Sequence, residues 1–294
     1  MTKKMTKKLK YITALIVALP LIYLLLDQLP KAYSARYALV QVRESIFSET
    51  TQDLSPFLAP PEKLMQEHKF LTDSRDDKEA LKKSIQAYTP VLPTEQTSVL
   101  RTIGAILVTL PREGETTCGT FKNLDDILAK ITSKTVSGCC SDYTQAYLAL
   151  SSALDLFSRE VRIPGHVFAE TFDKPHNRWI WVDPLFGLTA QMRGKQLSII
   201  ELRQAFLDKE PITFINHRNG YTFSEKEMLP IMKDLFTKEN FEKISMVLGN
   251  NIEEEEELYK DIAVLPKPAR QLVAYAMGVK PVTLFYNSES PRHE

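Results

Sequence analysis

Residues 166–183 read HVFAETFDKPHNRWIWVD and predict a β-hairpin. Two runs rich in aromatic and β-branched residues flank the segment 173–176, whose Asp and Pro are typical of a turn. A four-residue loop at 173–176 would place His166 directly across from Asp183. Directly opposed side chains have Cβ atoms about 4.5–5.5 Å apart, so the carboxylate would be close enough to orient the imidazole. The stretch therefore predicts a His–Asp pair on one face of a small antiparallel sheet.

Each member of this pair also has a purely structural interpretation. His166 alone would be a polar residue in a half-buried strand, and Asp183 alone would begin the Asp183-Pro184 turn. Glu170, which the same loop places across from Trp179, is interpreted as a structural carboxylate of the strand. The hypothesis of a functional pair therefore depends on the opposition of His166 and Asp183.

A pair of cysteines lies at the start of a predicted helix. Cys139 and Cys140 follow Gly138, and the helix is expected to run from about Cys140 to Phe157. The unpaired N–H groups and the macrodipole of a helix N-terminus lower the pKa of a thiol there. Either cysteine could be such a thiolate or a small buried residue, and the periodicity does not choose between them. The apolar face of the helix has 3- and 4-residue spacing and comprises Tyr143, Ala146, Tyr147, Leu150, Leu154 and Phe157.

Three short blocks resemble the transglutaminase-like superfamily, whose core has the fold of papain-like cysteine enzymes. They are GCCSDY at 138–143, HVFAE at 166–170 and WVDP at 181–184. The Cys-x-Asp spacing of the family implies that Cys140 is the nucleophile. The resemblance further implies that His166 is the acid–base group, that Asp183 orients it, and that no cofactor is needed.

The sequence departs from the family pattern at two points. The family reaches its histidine through a longer β-branched strand that contains an Arg, whereas here Arg162 lies in a short segment that Pro164 interrupts. The side chain that would complete an oxyanion hole is not identifiable. Asp142 is expected to complement the helix N-terminus rather than to take part in catalysis.

The three cysteines of the chain also bear on its redox state. If Cys140 is a free thiolate in an oxidising compartment, Cys118 and Cys139 are the pair that remains for an intrachain disulfide. A zinc site is a weaker alternative, because the chain has no Cys-x-x-Cys pair and adjacent cysteines chelate one ion awkwardly. Its ligands would be Cys139, Cys140, His166 and His176.

The N-terminal segment predicts a membrane anchor. Lysines at positions 3, 4, 7, 8 and 10 precede an apolar run at 11–26. This length lies between the core of a cleaved signal peptide and a full transmembrane span, and an uncleaved signal anchor is favoured over a cleaved signal. The lysines keep the N-terminus in the cytoplasm, so the main domain is expected outside it, on a single-pass membrane protein. The net charge of zero argues against a nucleic-acid partner.

The chain is predicted to be an α+β protein with helical extensions on both sides of its core. The expected regions are a cytoplasmic tail and anchor (1–35), a helical stalk or layer (36–93), the transglutaminase-like core (94–210) and a helical C-terminal region (211–294). In the core, a helix that bears the Cys would pack on a small antiparallel sheet that bears the His and the Asp. Capping boxes at Ser198–Glu201 and Ser224–Glu227 predict helix starts, and Gly278 predicts a helix end.

These features predict a cysteine-dependent acyl-transfer enzyme at the outer face of the membrane. Its substrates would be the amide or peptide carbonyls of a protein, a peptide or a cell-envelope component. Water as the second substrate would make it a peptidase or amidase, and an amine would make it a cross-linker. The alternative is a catalytically silent binding module of the same fold in a cell-envelope or polysaccharide-assembly complex.

Overall fold

The structure, a computed structural model, describes residues 46–72, 98–116, 124–227, 230–265 and 267–287. These residues form two compact units, one from 49 to 254 together with the residues from 281 on, and the other from 46 to 48 together with 255–280. No helix within these ranges is long and apolar enough to cross a membrane. The predicted anchor at 11–26 and Cys118 lie outside the described residues.

Helices and strands are mixed along the described residues, as the α+β prediction requires. The helices are α1 (Ser55–Leu58), α2 (Pro61–Glu67), α3 (Val99–Thr109), α4 (Leu124–Thr132), α5 (Cys140–Ala153), α6 (Ile199–Leu207), α7 (Pro230–Leu235), α8 (Lys238–Phe241), α9 (Ile252–Asp261) and α10 (Lys267–Ala276). The strands are β1 (Ser48–Thr51), β2 (Glu115–Thr116), β3 (Val136–Ser137), β4 (Ser158–Ile163), β5 (His166–Asp173), β6 (Arg178–Asp183), β7 (Leu188–Met192), β8 (Lys195–Gln196), β9 (Thr213–Asn216), β10 (Thr222–Ser224), β11 (Ser245–Val247) and β12 (Thr283–Tyr286).

One large sheet dominates the fold. Within the described ranges its strands follow the order β1-β12-β11-β4-β5-β6-β7-β9-β10, with β8 paired to β7. Strands β4 to β7 pair antiparallel, as predicted for the middle of the chain. The sheet is larger than predicted, because β9 to β12 come from the region 211–294, for which the sequence predicted helices. Such short strands carry too little pattern to be recognised locally, and the strands with which they pair decide their conformation.

The predicted hairpin is present as β5 and β6, but its predicted register is wrong. A loop at 173–176 would pair Phe172 with residue 177. In the structure Phe172 pairs with Trp179 instead. Asn177 adopts a left-handed conformation, with φ of 49°, so the loop closes one residue later. Continuing this register places Asp183 opposite Phe168, two positions from His166. A register shift of two residues keeps every side chain on its original face of the sheet, so His166 and Asp183 still lie on the same face.

The strand before the histidine is also longer than the sequence predicted. β4 runs without interruption to Ile163, which pairs with His166. Pro164 and Gly165 form the exposed connection, and Gly165 has φ of 82°. A Pro followed by a residue of positive φ is the pattern of a type II turn. Pro164 therefore ends β4 at a tight turn, and His166 begins β5 directly after it.

Helix α5 packs on this sheet. The Tyr147 hydroxyl lies 2.6 Å from Oγ1 of Thr171 on β5, and the Thr144 hydroxyl donates to the Val167 carbonyl at 3.4 Å. The helix ends at Ala153 and not near Phe157 as predicted, because Asp155 adopts a left-handed conformation with φ of 57°. Its buried residues hold the first turn of α5 against the strand that begins at His166.

Two predicted helix boundaries are confirmed. At the start of α6, the Ser198 hydroxyl accepts the Glu201 N–H at 3.2 Å, and the Glu201 carboxylate accepts the Ser198 N–H at 2.9 Å. In the unit that contains 255–280, Gly278 has φ of 70° and follows the end of α10. The second capping box, at Ser224–Glu227, surrounds a single 3₁₀ turn.

Candidate active site

Cys140 is the first residue of α5, and Cys139 is its N-cap. The Asp142 carboxylate accepts the Cys139 N–H at 2.8 Å and so satisfies one of the amides at the helix start, as the sequence predicted. The Cys140 side chain is half-buried. Its own N–H occupies a position that has no partner within a helix. The helix start therefore presents a thiol and an amide donor side by side.

The two adjacent cysteines differ in their chemical state. Cys140 is a free thiol, whereas Cys139 is disulfide-bonded. The third cysteine of the chain, Cys118, lies outside the described residues. A disulfide removes the Cys139 sulfur from any role as nucleophile or metal ligand, so Cys140 is the available thiol of the pair.

His166 and Asp183 meet despite their diagonal positions in the hairpin. The Nε2 atom of His166 lies 2.9 Å from Oδ2 of Asp183, and both side chains are buried. The other carboxylate oxygen, Oδ1, accepts the Phe186 N–H at 3.0 Å. Because each oxygen has its own donor, the carboxylate is fixed in orientation and holds the imidazole in turn.

The electrostatics of the site favour a thiolate–imidazolium pair. Burial alone would raise the pKa of the Cys140 thiol, but the hydrogen bond and the charge of His166 outweigh burial, and the pKa is lowered. Burial would lower the pKa of His166, yet Asp183 and Cys140 together raise it to about 10. Since Nε2 faces Asp183, Nδ1 is the ring nitrogen that remains for the thiol.

Arg218 holds the turn that follows Asp183. Its Nη2 donates to the Pro184 carbonyl at 2.6 Å, and its Nη1 donates to the Leu185 carbonyl at 2.8 Å. Its Nε donates to the Leu107 carbonyl, at the end of α3, at 3.2 Å. Burial lowers the pKa of Arg218 to about 10. The guanidinium thus ties the turn to a helix that is distant in sequence.

Gly187 leaves the space that Arg218 occupies. A Cβ atom at residue 187 would lie 3.0 Å from both Cγ and Nε of Arg218, and the backbone there has φ of 72°. Both features favour glycine. Arg218 could not be predicted from the sequence, because no local pattern links it to Asp183. Gly187 is a local sign of the close approach.

Aromatic rings surround the imidazole. The ring centroids of His166 and Phe168 are 4.6 Å apart in an edge-to-face arrangement, and those of His166 and Phe186 are 6.0 Å apart. The guanidinium carbon of Arg112 lies 4.7 Å from the Phe186 centroid. An exposed cation therefore lies next to the ring that packs against the histidine.

Glu170 belongs to a buried ion pair and not to this site. It lies across from Trp181, and not from Trp179 as predicted. Its carboxylate accepts hydrogen bonds from Nη2 of Arg159 and from the Ile199 N–H, each at 2.6 Å. Arg159 stacks on the Trp179 ring, with its guanidinium carbon 3.7 Å from the centroid. These contacts give Glu170 the structural role that the sequence predicted for it.

The residues of the alternative zinc site do not assemble. Cys139 is in a disulfide, and Nε2 of His166 is engaged with Asp183. His176 bonds Asp173 at 2.8 Å in the hairpin loop, at the opposite end of β5 from His166. Within the described ranges, no group of three or more His, Cys, Asp or Glu side chains is arranged to hold a metal ion.

Comparison with known proteins does not add to this geometry. No protein-family model matches the chain, and no curated protein matches it in sequence. The case for a function therefore rests on the arrangement of Cys140, His166 and Asp183.

Proposed function

We propose that this protein is a cysteine-dependent acyl-transfer enzyme with a transglutaminase-like, papain-like core. The observation that carries the proposal is the interaction of the Cys140 thiol with an imidazole whose Nε2 atom lies 2.9 Å from the Asp183 carboxylate. A thiol at a helix start, a histidine and an orienting acid make up a nucleophilic triad.

The first half of the reaction forms an acyl-enzyme. The Cys140 thiolate attacks the carbonyl carbon of an amide, and the Cys140 N–H donates to the oxyanion that develops. The intermediate then collapses, the C–N bond breaks, and the imidazolium of His166 protonates the departing amine. The product is a thioester at Cys140, with His166 left neutral.

The second half regenerates the thiolate. Water or a second amine attacks the thioester, and Nδ1 of His166 takes the proton of the attacking group. Asp183 accepts the Nε2–H throughout, so it fixes the tautomer and stabilises the imidazolium. Attack by water makes the enzyme a peptidase or amidase, and attack by an amine makes it a cross-linker.

We also propose that the domain acts outside the cytoplasm, held by the segment at 11–26. The lysine cluster before this segment supports that orientation. The disulfide at Cys139 supports it independently, since disulfides persist in oxidising compartments. A C-terminal reporter that functions only after export should be active. Activity of a C-terminal reporter that functions only in the cytoplasm would contradict the topology.

Alkylation of Cys140 by iodoacetamide as a function of pH tests the chemistry. The midpoint of the pH–rate curve, which gives the apparent pKa of the thiol, should lie well below the free-thiol value of about 8.5. His166→Ala should move it upward, because the imidazolium that favours the thiolate is gone. Cys140→Ser should abolish the labelling. A wild-type thiol that titrates like free cysteine, and that is insensitive to His166→Ala, would favour the silent binding module instead.

A further inference from the structure

We infer that Arg112 forms an anion-binding subsite beside the Cys140–His166–Asp183 site, and that preferred acyl donors carry a carboxylate near the reacting carbonyl. The inference rests on the proposed acyl-transfer function and adds a substrate class to it.

The helix that bears Cys140 fixes the position of Arg112. Tyr143 lies on α5, one turn from Cys140, and its hydroxyl donates to the Pro111 carbonyl at 2.7 Å. Tyr143 is fully buried, so this hydrogen bond anchors the backbone next to Arg112 to the first turn of the helix. The arginine is thereby brought to the N-terminal end of α5.

The Arg112 side chain lies against the Phe186 ring. The guanidinium carbon of Arg112 lies 4.7 Å from the Phe186 centroid, and the centroid of the His166 imidazole lies 6.0 Å from the same point. The Phe186 N–H is bound to Asp183. The cation and the acid–base group are therefore neighbours of the same aromatic ring.

The charge of Arg112 is not neutralised within the described part of the chain. Arg112 is exposed, and no described carboxylate lies within ion-pair distance of its guanidinium. Three nearby acids have other partners: Asp142 accepts the Cys139 N–H, Asp183 faces His166, and Glu113 pairs with Lys134 at 2.9 Å. A guanidinium stacked on a ring still presents its N–H groups at the edge, where they match both oxygens of a carboxylate.

The neighbouring guanidinium of Arg218 is not accessible to a carboxylate in the same way. Each of its three nitrogens donates to a backbone carbonyl, of Leu107, Pro184 or Leu185, and the group is largely buried. Its positive charge nevertheless adds to that of Arg112, with which it interacts electrostatically. An anionic group of a substrate would therefore meet a positive potential at this edge of the site, with Arg112 as the accessible donor.

Two alkylating agents of similar size measure this potential. Iodoacetate and iodoacetamide both react when the Cys140 thiolate displaces iodide and forms a C–S bond, but only iodoacetate carries a negative charge. The readout is the ratio of their second-order rate constants at Cys140. Arg112→Gln should lower the iodoacetate-to-iodoacetamide ratio about 3- to 10-fold. Salt should lower the wild-type ratio and have a smaller effect on the variant.

Arg193→Gln is the matched control, since Arg193 is exposed and pairs with Glu210 at 3.1 Å. It removes the same net charge and should keep the wild-type ratio. An equal ratio in wild type and Arg112→Gln, or an equal fall in both variants, would overturn the subsite. The pH–rate curve of Cys140 with iodoacetamide distinguishes failure of the subsite from failure of the proposed function. If its midpoint is low but Arg112→Gln leaves the iodoacetate-to-iodoacetamide ratio unchanged, the subsite alone is rejected. A wild-type Cys140 inert to both agents rejects both.

Acyl donors test the substrate class directly. Aryl thioesters of glutaric and valeric acid have acyl chains of equal length, and only the first ends in a carboxylate. Attack by Cys140 releases the aryl thiolate, which is measured optically. Wild type should have the higher kcat/KM with the glutaryl thioester. Arg112→Gln should reduce this preference several-fold, mainly by raising the KM for the glutaryl thioester. An equal preference in both proteins would contradict carboxylate recognition by Arg112.

Discussion

The Nε2 atom of His166 lies 2.9 Å from Oδ2 of Asp183, although the two residues are not opposed in the register of β5 and β6. The contact is diagonal across the hairpin, a separation that long side chains and aromatic rings can span. It depends on the orientation of the carboxylate, which the Phe186 N–H and the turn after Asp183 fix. The first predictions test this dependence.

Asp183→Asn should weaken the thiolate without removing the ring. The charge of Asp183 helps to raise the pKa of His166 to about 10, so its loss should bring that pKa back toward about 6.5. The Cys140 thiol should then titrate at higher pH, and alkylation at pH 7 should slow by about tenfold for each unit by which the thiol pKa comes to exceed 7. Asp173→Asn, which alters the exposed His176 pair in the hairpin loop, should keep the wild-type profile. Equal profiles for the two variants would contradict the orienting role of Asp183.

The same contact predicts how stability varies with pH. A histidine whose pKa is raised on folding stabilises the native state fully below its unfolded pKa, about 6.5, and loses that contribution as pH rises through about 10. The lowered pKa of Cys140 has the opposite sign, so the measurement uses Cys140→Ser protein. Its free energy of unfolding in urea should fall as the pH rises above about 6.5, and the fall should end below pH 10 because Cys140 no longer helps to raise the pKa of His166. Adding Asp183→Asn should flatten this slope, and an unchanged slope would argue against the pair.

Arg218→Lys should impair the site although it preserves the charge. A lysine donates as a single point and cannot bridge the carbonyls of Pro184 and Leu185 as the guanidinium does. We expect a higher Cys140 alkylation midpoint together with a lower melting temperature. Arg203→Lys, which alters a buried guanidinium that bonds the Phe241 carbonyl, should lower the melting temperature alone. If both variants leave the midpoint at its wild-type value, Arg218 has only a structural role.

Gly187→Ala should be more harmful than Gly194→Ala. Both glycines have positive φ, 72° and 78°, so both substitutions carry a backbone cost of about 1–2 kcal/mol. Only at Gly187 would the new Cβ press on Arg218, since nothing lies within 4 Å of a Cβ at Gly194. Urea unfolding should show the larger loss for Gly187→Ala, and only that variant should shift the Cys140 midpoint. Equal losses would mean that Arg218 moves aside freely.

Glu170→Gln should destabilise the fold and spare the chemistry. The change leaves the Arg159 cation buried without its counter-charge, which costs about 3–5 kcal/mol. Glu170 is not among the groups that act on the Cys140 thiol, so the alkylation midpoint should remain that of wild type. Glu210→Gln, at an exposed pair, should cost less than about 1 kcal/mol. A shift of the Cys140 midpoint in folded Glu170→Gln would reassign Glu170 to the site.

The sequence alone determined the features that depend on neighbours along the chain. The helix start at Cys140, the hairpin around its loop and the shared face of His166 and Asp183 follow from helical spacing, turn residues and strand alternation. The predicted register was wrong, yet the shift was even, so the predicted contact survived. A shift by one residue would have moved Asp183 to the other face.

Only the tertiary structure decided the features made by residues far apart in sequence. Pairing with β4 and β12 gives β11 its conformation, and no local pattern marked it as a strand. Arg218 reaches the turn after Asp183, and the Tyr143 hydroxyl brings Arg112 to the helix start, through contacts that join separate segments of the chain. Periodicity reports which face of an element is buried, but it does not report what packs against that face. The groups of the proposed reaction could therefore be read from the sequence, whereas the residues that position them and surround them could not.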